Sequence, residues 1–394
     1  MVNPKTKRMN ILQVVEASGA GVGRHVRGLC EGAIAQGHKV TLAYAPQRVD
    51  EAFQRFLSDR RNEIFFVPLK LRREVSPASD LASVFRLLRL MKRKGPFDVI
   101  HGHSSKGGAI ARLAGYWSGI PAVYTPHSLV MSSPEIPRTK VAAYTLIERI
   151  LGKWATSRIV AVSEDEREFI RKLKLVPDER IVLINNGVDD QDVRYVSTRK
   201  LAREVTDENP LTFGSVMRFS AQKAPGRLVE AFVRLSTAIP QVPIRLVIAG
   251  DGELFNEVEK QVREGGLGEK ISLLGWRTDI REVLLGFDVF VLSSLYEGGS
   301  YAILDAMAAG LPTVSTAVFG TKETVAPVPG NVLVPAGDPV ALARGMERMV
   351  ALISCDSSRK ALEEIGRANH DHVCLCFRQS ENTRRTLKVY RELR

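Results

Sequence analysis

Thirteen short apolar runs, rich in β-branched residues, recur along this 394-residue chain, and the intervals between them carry helical periodicity. In the first half the runs are residues 11–15, 39–43, 64–67, 99–102, 122–125, 159–162 and 181–184. In the second they are 211–216, 244–249, 271–274, 289–292, 313–316 and 331–334. Most are apolar throughout rather than alternating, which marks strands covered on both faces, as in a parallel sheet joined by crossover helices. The chain is also too long for one ordinary core. Together these features predict an α/β protein built from two doubly wound, Rossmann-like domains, with the polar stretch 189–209 between them.

Charge is unevenly placed over this frame. The net formal charge of +12 divides into +13 for residues 1–200 and −1 for 201–394. A basic first half attracts phosphate-rich surfaces such as anionic lipid headgroups or pyrophosphate-linked substrates. The segment 81–94, LASVFRLLRLMKRK, sharpens that expectation. Helical spacing puts Leu81, Val84, Phe85, Leu88 and Met91 on one face and Arg86, Arg89 and Arg93 on the other. Such a helix could lie on a membrane, but, preceding a strand, its apolar face belongs against the sheet, with the arginines left to face lipid. No apolar run is long enough to span a bilayer, and the basic start lacks a signal-like core. The four cysteines, Cys30, Cys355, Cys374 and Cys376, show no zinc or redox spacing, which fits a reducing cytoplasm.

Three loops carry the chemistry. The first is SGAGVGRHV, residues 18–26, between a strand and a helix read from His25 to Gly37. It resembles a phosphate-cradling turn but fails as a dinucleotide fingerprint: Arg24 stands where the third glycine belongs, and no acid follows the strand ending near Ala43. The second is MRFSAQKAPG after residues 211–216, with Arg218 and Lys223 five residues apart. A loop at the carboxyl end of the first strand of a doubly wound domain faces the ligand crevice, where two cations suit a diphosphate. The third follows 289–292: Glu297, Gly298, Gly299 and Ser300 form a loop before a helix from Tyr301 to Ala309. Backbone N–H groups at such a helix start, near Tyr301 and Ala302, bind phosphate oxygens. Asp305, eight residues after Glu297, offers a second carboxylate for vicinal hydroxyls. A run HGHSSKGG places His101, His103 and Lys106 beside a strand, open either to acceptor contact or to loop packing.

The stretch from Glu297 to Pro312 resembles the signature of glycosyltransferase family 4, in which E-x7-E precedes a small-residue helix and a G-x-P turn. The resemblance spans nearly the whole chain, through GVGRHV (21–26), TPHSL (125–129), VAVSEDE (160–166), INNGVD (184–189), AGDGE (249–253) and LLGWRTD (273–279). It implies the GT-B architecture, two Rossmann-like domains facing a central cleft. The N-terminal acceptor-binding domain is expected at 1–195, a linker at 196–209, the nucleotide-sugar-binding domain at 210–377, and a final helix, 378–394, returning to the first domain. The resemblance implies a retaining glycosyltransferase that moves sugar from a nucleotide-diphosphate donor, UDP-linked by expectation. The acceptor is expected to be a glycan or lipid-pyrophosphate-linked sugar of cell-surface polysaccharide or lipopolysaccharide synthesis.

Residue by residue, it implies that Arg218 and Lys223 neutralise the donor diphosphate, helped by the amides of Ser300, Tyr301 and Ala302. Glu297 lies next to the donor sugar with Gly298 and Gly299. Asp305, where the family usually has glutamate, meets the ribose. Trp276 and Arg277 lie near the base, and His127 beside the reacting sugar. Gly21 allows close backbone approach to the donor phosphate or the acceptor, with Gly23, Arg24, His103 and Lys106 on the acceptor side. No cofactor and no metal are expected, since two cations and a helix terminus meet the leaving-group charge, and the one DxD, Asp190-Gln191-Asp192, sits at the linker start. The expected location is cytoplasmic, peripheral on the inner face of the cytoplasmic membrane. Two other readings are a GT-B sugar-nucleotide epimerase, which would need no acceptor, and a basic nucleic-acid binder. The second lacks any binding motif and has only 7% aromatic residues, so no nucleic-acid partner is expected.

Overall fold

A computed structural model of the protein describes residues 7–71, 76–133, 136–190, 205–354 and 360–394. The chain forms two compact units, Met1–Gly187 with Gln379–Arg394, and Val188–Arg378. Residues 196–204 of the expected linker lie outside the described residues, as do Gln191 and Asp192 of the DxD, and Cys355.

The first unit contains one sheet of strands β1 (Asn10–Val15), β2 (Lys39–Tyr44), β3 (Ile64–Pro68), β4 (Val99–His103), β5 (Ala122–Thr125), β6 (Arg158–Ala161) and β7 (Ile181–Leu183). Their order is β3-β2-β1-β4-β5-β6-β7, and every pairing is parallel. Helices α1 (Ala20–Ala35), α2 (Glu51–Asp59), α3 (Pro77–Lys94), α4 (Ser104–Ser118), α5 (Arg138–Ala155) and α6 (Glu164–Lys172) lie between the strands in sequence. In the second unit, β8 (Leu211–Val216), β9 (Ile244–Ala249), β10 (Ile271–Leu273), β11 (Val289–Leu292), β12 (Thr313–Thr316) and β13 (Val332–Val334) form a second parallel sheet, in order β10-β9-β8-β11-β12-β13. Its helices are α7 (Pro225–Ala238), α8 (Phe255–Glu264), α9 (Ile280–Leu285), α10 (Tyr301–Ala308), α11 (Lys322–Val325), α12 (Pro339–Ser354) and α13 (Lys360–Cys376). The last helix, α14 (Gln379–Glu392), packs in the first unit.

The uniformly apolar strands are explained by cover on both faces. In β1, Ile11 and Val15 pack with Val26 of α1 and Leu387 of α14, whereas Leu12 and Val14 pack with Val84 and Leu87 of α3 and Ile110 of α4. The α14 side is close because α1 carries glycines four residues apart. A Cβ on Gly28 would lie 2.7 Å from Gln379 Cδ, and one on Gly32 2.6 Å from Thr383 Cγ2. In each sheet the strand order reverses once, between β1 and β4 and between β8 and β11. Loops at the carboxyl ends of those strands part there and leave a crevice.

Two local expectations change. The helix after β1 begins at Ala20 rather than His25, so SGAGVGRHV is a strand end followed at once by helical turns. Gly23 permits this, since a Cβ there would lie 2.2 Å from the Ser18 carbonyl oxygen. The abrupt start leaves Ala20 at φ +52°, with its N–H donating to Asp50 Oδ2 at 2.8 Å. A left-handed conformation costs an L-residue with a Cβ about 1–2 kcal/mol, and glycine returns part of that gain in unfolded-state entropy. Ala20→Gly is therefore expected to raise unfolding free energy by roughly 0.5–1 kcal/mol, read from urea denaturation. A lower midpoint would show that Ala20 is not strained.

The second change concerns α3. Val84, Leu87 and Met91 are buried, but Leu81 and Phe85, expected on the same inner face, are about half exposed. The helix is rolled so that its inner stripe runs through Val84, Leu87 and Met91, and Phe85 stacks instead on the exposed Trp117 ring, 6.2 Å away.

Candidate active site

In the second unit the site grows from the loops after β8 and β11. The loop carrying Arg218 and Lys223 is held from beneath by the AGDGE turn: Phe219 N–H donates to Asp251 O and Leu254 N–H to Phe219 O, each at 3.0 Å. Gly250 and Gly252 make the approach possible. At φ +138° and +156°, a Cβ on either would meet Met217 O at 1.8 Å and Phe219 O at 2.5 Å. Glu253, next in that turn, pairs with Arg218 at 2.9 Å, with both side chains about half exposed. On the other side, Leu295 N–H donates to Gln222 O at 2.8 Å, Gln222 Nε2 to Tyr296 O at 2.9 Å, and Ser293 Oγ to Lys223 O at 2.8 Å. The two loops are thus laced into one surface.

On that surface Lys223 forms an ion pair with the buried carboxylate of Glu297, which also accepts from Ser294 Oγ at 2.7 Å. The backbone of Gly298 and Gly299 lies against Gly320, whose φ is +74° and where a Cβ would meet Gly298 O at 2.6 Å. Ser300 is the N-cap of α10, and Tyr301 and Ala302 open its first turn. The Ser300 hydroxyl is buried and has no hydrogen-bond partner among the described residues. An orphan hydroxyl at a helix N-terminus, three residues after a glutamate that holds a lysine, is an arrangement suited to an anion. Asp305 lies half-buried farther along α10. Trp276 and Arg277 stand on the loop after β10, two strands from β8. Trp276 is 58% exposed and Arg277 is bound by Asp279, its Nε donating to Oδ1 at 2.7 Å. The loop is joined to the AGDGE turn by Gly250 N–H donating to Gly275 O at 2.8 Å.

In the first unit, His25 on α1, His103 at the end of β4 and His127 after β5 come together with His101 at the β1/β4 crevice. Their hydrogen bonds form one directed chain. Gln13 Nε2 donates to Tyr390 OH at 3.1 Å, so the amide oxygen, which only accepts, takes its bond from His103 Nε2 at 2.8 Å. His103 Nδ1 is then an acceptor, and His127 Nε2 donates to it at 3.1 Å. Tyr390 passes its proton bond to His101 Nδ1 at 2.5 Å, and His101 Nε2 donates to Thr125 Oγ1 at 2.7 Å. His25 Nδ1 donates to Asn186 Oδ1 at 3.2 Å. Every ring in this chain is neutral. Burial holds His101, His103 and His127 well below the usual imidazole range and His25 at about 4, with neighbouring histidines adding to the effect for the first three.

His127 and Ser128 adopt φ of +56° and +86°, two successive non-glycine residues in the left-handed region. Such strain persists when surroundings over-determine it. Here Glu166 does so: one carboxylate oxygen accepts from Ser128 N–H at 2.8 Å and the other from Val162 N–H at 2.9 Å. The VAVSEDE run therefore earns its place by holding the His127 turn. Arg24 is half-buried on α1 near Gly21. Lys106, expected on the acceptor side, is largely buried and paired with Asp80 of α3 at 3.0 Å.

The sequence names His101, His103 and His127, which the structure brings together, but not Gln13, Tyr390 or Glu166 as their partners. Gln13 had a legible signal, a lone polar residue in the apolar run of β1; Tyr390, 377 residues away, had none. Among the described residues, one group has the spacing of metal ligands: nitrogens of His25, His103 and His127 lie within 4.8 Å of one another. His127 and His103 already share a hydrogen bond.

Comparison with known proteins identifies the family and the fold. Residues 19–192 match the family model Glycosyltransferase Family 4, and 197–369 match Glycosyl transferases group 1. The chain is 34% identical over 265 residues to an Escherichia coli UDP-Gal:alpha-D-GlcNAc-diphosphoundecaprenol alpha-1,3-galactosyltransferase, an alignment covering 66% of this chain and 67% of that one. It is 29% identical over 255 residues to the Bacillus subtilis putative glycosyltransferase EpsF, covering 64% of each. Among solved structures, a Rickettsia africae glycosyltransferase superposes with a TM-score of 0.78 at 20% identity, over 98% of this chain and 99% of that one. Anabaena HepE in complex with UDP and glucose gives 0.76 at 18%, over 98% and 100%. The two parallel-sheet units are those of the GT-B fold, and the chain belongs to glycosyltransferase family 4.

Proposed function

We propose that this glycosyltransferase is a retaining, metal-independent enzyme that moves a hexose from a UDP-sugar to a lipid-diphosphate-linked glycan in cell-surface polysaccharide or lipopolysaccharide synthesis. The observation that carries the reading is the grouping of Lys223, Glu297 and the unpartnered Ser300 hydroxyl at the carboxyl ends of β8 and β11. A diphosphate oxygen supplies the partner that Ser300 lacks, and Lys223 and the N-terminus of α10 supply positive potential. Arg218 joins them by leaving Glu253, a half-exposed pair that costs about 0–1 kcal/mol to open. As the bond from the sugar C1 to the phosphate oxygen breaks, charge grows on that oxygen and these groups stabilise it. The acceptor hydroxyl attacks C1 from the same face, and its proton passes to the departing phosphate oxygen. Glu297 positions sugar hydroxyls, while Asp305 and the Trp276–Arg277 loop hold the nucleoside.

UDP in the HepE complex and the UDP-Gal donor named for the Escherichia coli relative support a uridine donor, and that relative's diphosphoundecaprenol substrate supports the acceptor. The reading also places the protein on the inner face of the cytoplasmic membrane. The decisive assay incubates purified protein with UDP-galactose, UDP-glucose, UDP-N-acetylglucosamine and GDP-mannose in turn, with GlcNAc-diphosphoundecaprenol or membrane lipid extract. Acceptor-dependent UDP release with a product heavier by one sugar is expected. Conversion of the donor without acceptor would favour an epimerase. Turnover in excess EDTA is expected to equal that with added Mg2+, and a loss restored by Mg2+, Mn2+ or Zn2+ would overturn metal independence.

A further inference from the structure

We propose that the outward face of α5, more than the α3 helix that stands out in the sequence, docks this protein on anionic lipid bilayers. Among the described residues the large exposed apolar side chains concentrate here: Leu146 is 59% exposed, Ile147 51%, Ile150 53% and Trp154 63%. With Ala142 and Ala143, also exposed, they follow helical spacing and form one outward stripe along the last three turns. Single exposed apolar residues are ordinary, but a continuous stripe of four large ones marks a surface that something covers.

Charge complementarity says what that is. Arg138, Lys140, Arg149 and Lys153 are exposed along the same helix, and its only acid, Glu148, points inward. A helix with an apolar stripe flanked by cations and free of outward acids lies in the headgroup boundary of an anionic leaflet. A tryptophan at its end belongs at that depth. Lys153 Nζ stands 4.9 Å from the Trp154 ring, a pairing that lets both sit among phosphates.

The roll of α5 is fixed. Glu148 receives both terminal nitrogens of the buried Arg112 of α4, at 2.7 and 2.9 Å, and Arg112 lies over the Tyr124 ring of β5, 4.0 Å from its centroid. The stripe cannot turn inward without breaking that fork. Helices α3 and α4 cover the same sheet face and add the exposed Phe85–Trp117 stack and the exposed Arg86, Arg89, Lys92, Arg93 and Lys94. Among the described residues no helix is long and apolar enough to cross a membrane, so α5 would bind in the plane of the leaflet.

The proposed lipid-linked acceptor gives this docking its purpose, but the test needs neither donor nor acceptor, so each idea fails separately. Vesicles of phosphatidylcholine with about 30 mol% phosphatidylglycerol are sedimented with the full chain, and Trp154 emission is followed against a Trp154→Phe control. Binding to anionic vesicles is expected to exceed binding to neutral ones and to weaken with salt. Leu146→Ser with Ile150→Ser is expected to lower it roughly tenfold or more while the melting temperature stays unchanged. Glu148, Arg112 and the histidine cluster are untouched in that variant. Equal binding by the double variant, or none by the parent chain, would overturn the proposal. So would a dimer in light scattering that the same substitutions abolish, since the stripe would then cover a second copy.

Discussion

Lys223→Met is expected to lower kcat roughly 10²–10³-fold with a smaller change in KM, the loss typical of removing one preorganised group from a developing oxyanion. Lys223 has two roles: in the proposed reaction it meets the donor diphosphate, and in the structure it neutralises the buried Glu297. Removing it abolishes the first and strands the second. Glu297 keeps its bond from Ser294 Oγ, and Lys223 retains some solvent access, so the stability loss stays below the roughly 3–5 kcal/mol of a fully buried pair. Lys223→Met with Glu297→Gln removes the stranded charge and should recover stability without recovering turnover. Arg218→Ala should act in the same direction on kcat with almost no effect on stability, because its pair with Glu253 is exposed. Ser300→Ala offers the sharpest contrast. Its hydroxyl has no partner among the described residues, so the fold should lose nothing while UDP binding weakens. Steady-state kinetics, UDP titration and urea denaturation on these four proteins separate the outcomes. Full turnover in a folded Lys223→Met variant would remove the β8 loop from the active site.

Acidification from pH 7.5 to 5 is expected to destabilise the first unit by at least about 2 kcal/mol. The folded state holds His25 at about 4 against 6.5 when unfolded, so between those values the unfolded chain binds the additional proton. Stability therefore rises with pH across that window, is complete above about 6.5, and falls as pH drops toward 4. By pH 5, His25 alone accounts for about 2 kcal/mol, and His101, His103 and His127 are shifted in the same direction. The cause is geometric as well as dielectric. His103 shows the geometric part: its Nε2 donates to Gln13 Oε1 and its Nδ1 accepts from His127 Nε2, so a protonated His103 would set two donors face to face. Urea unfolding followed at several pH values should show this slope in the parent protein and a shallower one in His25→Gln. A flat profile between pH 7 and 5 would mean that the cluster is open to water. Tyr390→Phe, which removes the hydroxyl shared by Gln13 and His101, should lower stability at every pH.

Much of the architecture was legible because a strand buried on both faces leaves an unmistakable local record. The runs at 211–216, 244–249, 289–292, 313–316 and 122–125 match β8, β9, β11, β12 and β5 residue for residue. The loops after β8 and β11 were legible too, since a doubly wound topology assigns its ligand crevice to strand ends before any side chain is placed. Helix starts were harder. Whether α1 begins at Ala20 or His25 depends on whether Gly23 can lie against the Ser18 carbonyl, and that close contact has no signature in periodicity. The roll of α3 was equally hidden: Leu81 and Phe85 are as apolar as Val84, and only the neighbouring Trp117 and sheet decide which of them is covered.

The sequence by itself determined the parallel α/β class, the family and the basic first half, and it named Lys223, Glu297, Ser300, His103 and His127 as candidates. Each of these is written in spacings of a few residues. Tertiary structure alone decided that Glu297 holds Lys223, that Glu166 pins the His127 turn, that Lys106 turns to Asp80, and that Tyr390 of the last helix completes a histidine chain begun at Gln13. It also decided that α5 presents its apolar stripe outward, because a helical stripe reads alike whether a sheet or a bilayer covers it. The difference lies in one buried fork, Arg112 with Glu148, which settles which way the helix faces.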